Sequence, residues 1–95
     1  MLVITVSFQS KPAHAVDFLR EMKINARDSL ALEHGCRQFD VCVAPEDECQ
    51  VFLYELYDSR AAFDAHLASA HFQRFIRVTE SWIESKQIKE YRRHD

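Results

Sequence analysis

VFLYELYDSRAAFDAHLASAHF, residues Val51–Phe72, is the stretch from which the fold can be read. Val51 to Tyr57 is β-branched and aromatic, the composition of a strand, and Asp58 and Ser59 then supply side-chain oxygens able to cap a helix. Alternation puts Val51, Leu53, Glu55 and Tyr57 on one face of the strand and Phe52, Tyr54 and Leu56 on the other. Glu55 therefore shares a face with residues that favour burial, and a buried carboxyl needs a partner. Beyond the cap, Phe63, His66 and Leu67 recur at helical spacing. This places the His66 imidazole on or beside the face that packs on the sheet.

Upstream, Phe39, Val41 and Val43 alternate with Gln38, Asp40 and Cys42, and the run stops at Pro45-Glu46-Asp47-Glu48, a turn by composition. The short gap makes this strand and the next an antiparallel hairpin. Leu2 to Phe8 alternates in the same way, and Pro12 suits the first turn of a helix edged by Ser10 or Lys11. Val16, Leu19, Met22, Ala26 and Leu30 form one stripe of that helix. Gly35, the one glycine of the chain, falls where a left-handed C-terminal cap is wanted. Downstream, Ala68-Ser69-Ala70 breaks the helical pattern before His71, Phe72, Phe75, Ile76, Thr79, Trp82 and Ile83 resume it, with Trp82 expected in the core. Ser85 to Arg93 alternates weakly around Ile88 and reads as a last, more polar strand.

The order β, α, β, β, α, β is the ferredoxin-like split βαβ plan, an α+β fold with helices on one face of a four-stranded antiparallel sheet. Residues 1–95 are expected to form a single domain. With 95 residues and 47% apolar content the chain suffices for one core, and a domain of this size buries only about 60 to 70% of its unfolded surface. The open sheet face is therefore expected to be covered by a second copy, giving a homodimer. A net charge of −3 supplies no basic field for nucleic acid. No leader pattern or run of about 20 apolar residues is present, which points to a soluble, cytoplasmic protein without membrane attachment. Cys36, Cys42 and Cys49 fit no metal or redox spacing and read as reduced, structural thiols.

His66 is the leading catalytic candidate, because an imidazole on an apolar face carries protons near neutral pH once a second group fixes its tautomer. Glu55 is the group expected to do so. Asn25 shares a helical face with Phe18, Met22 and Ser29, so its amide looks inward, towards a bonding partner or a ligand. Tyr54 and Tyr57 point to opposite faces and cannot both line one pocket. Phe63, Met22 and His71 complete the expected substrate contacts, with His71 at or before the start of the last helix. Metal-binding histidines on one helix want a spacing of four, whereas His66 and His71 stand five apart with a break between them. No Cys or His pair elsewhere completes a ligand set, so no metal is expected. A lone glycine excludes glycine-rich phosphate loops, and no serine sits in a nucleophile elbow.

Gly35-Cys36, Phe39-Asp40-Val41, Pro45-Glu46-Asp47, Tyr54-Glu55, Ala62-Phe63-Asp64-Ala65-His66 and His71-Phe72 follow one another in an order that resembles the antibiotic biosynthesis monooxygenase family of small dimeric α/β-barrel proteins. The resemblance covers nearly the whole chain. It implies a pocket between sheet and helices and a dimer paired through the open sheet face. It also implies oxidation of a quinol or phenol by molecular oxygen with no cofactor, His66 acting as base, Glu55 as its orienter, and Asn25 with a tyrosine holding the substrate oxygen. Haem-degrading relatives use an asparagine on the first strand, where this chain has only Thr5 and Ser7 as polar residues, which argues against haem. Other relatives isomerise a small, phosphorylated hydroxyketone signal. That alternative needs a cation in the pocket, for which Arg37, Arg60 and Arg74 are candidates. A non-catalytic ligand-binding dimer is the third reading.

Overall fold

A computed structural model describes residues 1–95. Strand β1 (Leu2–Ser10) leads through a 3-10 turn at Pro12–His14 into α1 (Ala15–Leu32). The hairpin β2 (Cys36–Ala44) and β3 (Asp47–Tyr57) follows, then α2 (Arg60–Ala68), α3 (Ala70–Thr79), a second 3-10 turn and β4 (Ile83–Arg92). The strands lie in the order β2-β3-β1-β4, and every neighbouring pair is antiparallel. β3 is thus inserted between β1 and β2, as the ferredoxin-like plan requires. The hairpin turn is tighter than expected, because β3 begins at Asp47, whose side chain accepts a hydrogen bond from the Cys49 N–H at 2.9 Å.

The helix-facing side of the sheet carries the core. Ile4, Val6 and Phe8 of β1 and Val51, Leu53 and Tyr57 of β3 pack with Phe39 of β2 under Phe18, Met22 and Ala26 of α1, Phe63 of α2 and Phe75 of α3. The stripe expected on α1 needs correction: Val16 is 70% exposed, and Leu30 and Leu32 also face solvent. The buried residues are Ala15, Phe18, Glu21, Met22, Asn25, Ala26 and Ser29. The aromatic ring at Phe18 sets the rotation of the helix, sitting between Phe8 and Phe75 at centroid distances of 5.2 and 5.9 Å. Trp82 is half-buried, packed against the core and stacked on His14 at 5.2 Å.

Gly35 also differs from expectation. No residue, glycine included, has a positive φ, so the helix does not end in a left-handed cap. A Cβ on Gly35 would instead lie 2.4 Å from the Ala62 Cβ. Absence of a side chain here allows the α1–β2 connection to touch α2, and the contact is held by the Asp58 N–H donating to the Gly35 carbonyl at 2.9 Å. Close approach, not backbone conformation, is what this glycine supplies. It brings the end of α1 beside the helix that carries His66.

Ser59 starts α2, its Oγ accepting from the Ala62 N–H, and Ser69 starts α3 in the same way through the Phe72 N–H. Ser69 is extended (φ −68°, ψ 150°) and its hydroxyl also donates to the His66 carbonyl at 2.7 Å. One serine therefore ends one helix and begins the next. Cys36 and Cys49 are buried, Cys42 is exposed and none is bridged. Burial, reinforced by the nearby Glu33 and Glu55 carboxylates, pushes the Cys36 thiol up to about 12, which makes it inert at neutral pH. No helix is long and apolar enough to cross a membrane.

Candidate active site

Between the sheet and the three helices lies a cavity of about 50 Å³, lined by Ile4, Met22, Asn25, Glu55, Phe63 and His66 among others. Its mouth is formed by Phe72 and Ile76 of α3 with Lys86 and Ile88 of β4. The expected residues Met22, Asn25, Glu55, Phe63 and His66 are all brought to it. His71 is placed just behind His66, with ring centroids 6.0 Å apart. Tyr57 is wholly buried, its ring 5.5 Å from His66. Of the two tyrosines named as candidate substrate contacts, Tyr54 is the one turned from the cavity. It pairs with Thr5 and Asp40 on the opposite face of the sheet, away from the cavity.

His66 stands in the last turn of α2, among the rings of Phe39, Tyr57, Phe63 and Phe72. Its Nδ1 is 2.8 Å from Glu33 Oε2 and 3.4 Å from Ser29 Oγ. Its Nε2 is 4.0 Å from Glu55 Oε1. The assignment of Glu55 as tautomer-fixing partner is thus corrected: Glu33 makes the close contact, because Gly35 lets the end of α1 reach α2. A carboxylate can only accept, so Nδ1 carries the proton and Nε2 is left with a lone pair. Glu55 is held instead by Tyr57, whose O–H donates to Oε1 at 2.5 Å. Glu33, at the cap just beyond α1, continues the four-residue spacing of Asn25 and Ser29, but that spacing alone does not say what it meets.

Burial lowers the pKa of His66, opposed by the hydrogen bond and charge of Glu33, while His71 pushes in the same direction as burial. The imidazole is therefore held as a neutral base. Burial raises Glu55 to about 7, partly offset by the Tyr57 hydrogen bond and reinforced by Glu33. Burial first, then the Glu55 carboxylate, pushes the Tyr57 phenol upward, which keeps it a donor. Asn25 adds a buried Oδ1 with no hydrogen-bond partner, in the cavity wall.

Glu55 has a consequence for stability. Its usual value is 4.5 and its folded value about 7, so the native protein keeps a proton that the unfolded chain releases between those pH values. The stability associated with neutral Glu55 is complete below about pH 4.5 and is lost as pH rises through about 7. Glu55→Gln, which cannot ionise, is expected to gain stability relative to the parent between about pH 5 and about pH 8, measured by urea midpoints. A constant difference across that range would contradict the burial of an ionisable Glu55.

His71, in the first turn of α3, meets the same Glu33 oxygen through Nε2 at 2.5 Å. On one continuous helix residues five apart point about 140° apart, but the break at Ser69 turns both imidazoles onto Glu33. The break expected between the two histidines is present, and Glu33, which was not among the expected ligands, stands between them. Three further expectations concern cations. Arg37 is paired with Asp58 at 2.7 Å, Arg60 with Glu90 at 2.5 Å and Arg74 with Glu21 at 2.6 Å. None of the three lines the cavity; Lys86 does.

Residues 1–78 match the antibiotic biosynthesis monooxygenase family. The chain belongs to that family. No curated protein matches it in sequence. Among solved structures, a Nitrosomonas europaea protein whose name carries the same family designation is 26% identical, with a TM-score of 0.90 over 96% of each chain. PA3566 from Pseudomonas aeruginosa is also 26% identical, with a TM-score of 0.91 over 99% of this chain and 94% of its own. Rv0793 from Mycobacterium tuberculosis, 19% identical with a TM-score of 0.89 over 99% and 95%, shares the fold. The family match ends within α3, and β4, which closes the mouth of the cavity, lies beyond it. This antibiotic biosynthesis monooxygenase family member thus carries Asn25, Glu55 and His66 of its cavity within the matched residues and Lys86 beyond them.

Proposed function

We propose that this family member is an enzyme, a monooxygenase that oxidises a quinol or phenol with molecular oxygen and draws the electrons from the substrate. The observation that carries this reading is the His66 Nε2 lone pair facing an aromatic cavity whose Asn25 Oδ1 has no partner. A substrate hydroxyl can donate to either acceptor. On transfer of its proton to Nε2, Glu33 stabilises the imidazolium at 2.8 Å, and Glu55 adds to this from 4.0 Å above about pH 7, where it is ionised. The phenolate gives one electron to oxygen, and the superoxide and phenoxyl radicals recombine into a C–O bond. Elimination of water from the peroxide leaves the quinone, so one phenol and one O2 become one quinone and one water. Apolar walls keep bulk water from the radical pair.

The cavity must widen to admit a ring, since about 50 Å³ falls short of the ~150 Å³ that accepts benzene. Leu67, Phe72 and Ile76 on the two short helices and Ile88 on the edge strand are lining residues that are not fully buried, and widening is expected there. Binding of a chromogenic nitrophenol tests the proton step. At a pH where the free phenol is mostly neutral, the bound form should absorb as the phenolate, and His66→Ala should abolish that shift. A bound neutral phenol in the parent would count against His66 as base.

The isomerase alternative is left with Lys86 as the one cation at the cavity, because Arg37, Arg60 and Arg74 are all engaged with carboxylates outside it. The same pocket would also serve a protein that only binds its ligand, and turnover separates the two. We also propose that a second copy covers the open sheet face, where Phe52 is 42% and Tyr91 50% exposed and no helix packs. Phe52→Glu should convert the dimer to monomer in sedimentation velocity; a parent chain that sediments as a monomer would remove this proposal.

A further inference from the structure

Three donor atoms from three elements converge on the side of His66 that faces away from the cavity. Glu33 Oε2 at the end of α1, His66 Nδ1 on α2 and His71 Nε2 on α3 lie within 4.8 Å of one another. The other Glu33 oxygen, Oε1, is buried and has no hydrogen-bond partner. A buried carboxylate with one oxygen unpaired lacks counter-charge, and both histidine contacts fall on its other oxygen. We propose that Glu33, His66 and His71 bind one divalent transition-metal ion of the zinc type, and that occupation of Nδ1 switches off His66 as a base.

Two imidazoles and a carboxylate are a donor set used by zinc, with a fourth position left to water. Imidazole nitrogens select against magnesium and calcium, which take oxygen ligands. Zinc holds such ligands at about 2.0–2.2 Å, so they stand roughly 3.3 Å apart around it. The present separations of 2.8 and 2.5 Å need to open by somewhat less than an ångström. Rotation of Glu33 about its side chain does this and brings the unpaired Oε1 to the ion. The side chain of His71 is 11% exposed, which gives the ion a way in from the surface.

Glu55 supplies the complement. Metal on Nδ1 forces the ring proton onto Nε2, and the group nearest Nε2 is the Glu55 carboxyl at 4.0 Å, which must close by about 1 Å to form the carboxylate–histidine–metal arrangement that strengthens a metal-bound imidazole. The same tautomer removes the lone pair that a phenol would protonate. This second half rests on the oxygenase reading, whereas the binding half does not.

Chelator-treated protein titrated with zinc against a chromogenic competitor, and with cobalt(II) followed by its visible absorption, tests the site. One ion per chain is expected, with the intense bands of a low-coordinate cobalt site. Glu33→Gln and His71→Ala should each weaken binding at least about tenfold, and His94→Ala on the exposed tail should leave it unchanged. Glu33→Gln preserves the shape of the side chain and serves as the test where His71→Ala is not tolerated, its folding checked by the urea midpoint. Absence of binding at micromolar zinc, or equal binding in parent and Glu33→Gln, would overturn the site. Where oxygenase turnover is measurable, zinc should suppress it and a chelator restore it; turnover that rises with occupancy would overturn the switch. The titration decides the binding half whether or not any turnover is found.

Discussion

Replacing His66 by Ala should lower kcat for phenol or quinol oxygenation by about 10²- to 10⁴-fold, the usual contribution of a positioned general base. The reason lies in the two ends of the ring. Glu33 at 2.8 Å fixes the proton on Nδ1, and Nε2 is the basic atom on the cavity side. The other ionisable groups lining the cavity are Lys86, which is exposed, and Glu55, which is already bonded to Tyr57. The pH profile separates this role from a packing role. In the parent, the acid limb of kcat/KM combines His66, held below its ordinary 6.5, with Glu55 at about 7. Removal of His66 should leave a single-proton limb near 7. A variant with the parent's kcat and the parent's limb would show that His66 is only packed there.

Phe18→Ala should cost about 3–5 kcal/mol of stability, as the loss of a fully buried aromatic ring generally does. The ring is 0% exposed and touches both Phe8 on β1 and Phe75 on α3, so its removal opens a void between sheet, long helix and last helix. By contrast, Val16→Ala on the exposed face of the same helix should stay within about 0.5 kcal/mol. Urea denaturation of the two variants checks both numbers. Similar losses at both positions would mean that α1 is rotated from the orientation described here.

That pair also marks how far the sequence could be read. Two apolar stripes compete on α1, and the one containing Val16, Leu19 and Leu30 has more aliphatic residues. The face actually buried holds Asn25 and Ser29 beside Phe18 and Met22, and polar residues on a buried face mislead a count based on hydrophobicity. They are there because the face borders the site. The strand order and helix positions were legible, since alternation in β3 and the oxygen caps at Ser59 and Ser69 are local signals. Glu55, His66, Phe63, Met22 and Asn25 were legible for the same reason: each follows from its place on one strand or one helix.

What was not legible depends on contacts between distant segments. Glu33 meets His66 only because Gly35 lets the α1–β2 connection touch Ala62, and nothing local distinguishes a glycine of close approach from a capping glycine. His71 joins the same carboxylate because Ser69 redirects the chain. Tyr54 and Tyr57 were correctly set on opposite faces, but which face carried the helices required the register of β3 against β1 and β2.

The most direct measurement is oxygen uptake by chelator-treated protein given a panel of quinols and phenols, for the parent and for His66→Ala. The account predicts uptake above the autoxidation blank in the parent, one O2 per quinone formed, and its loss in the variant. Uptake equal to the blank across the panel, or equal in both proteins, would contradict an oxygenase that works through His66.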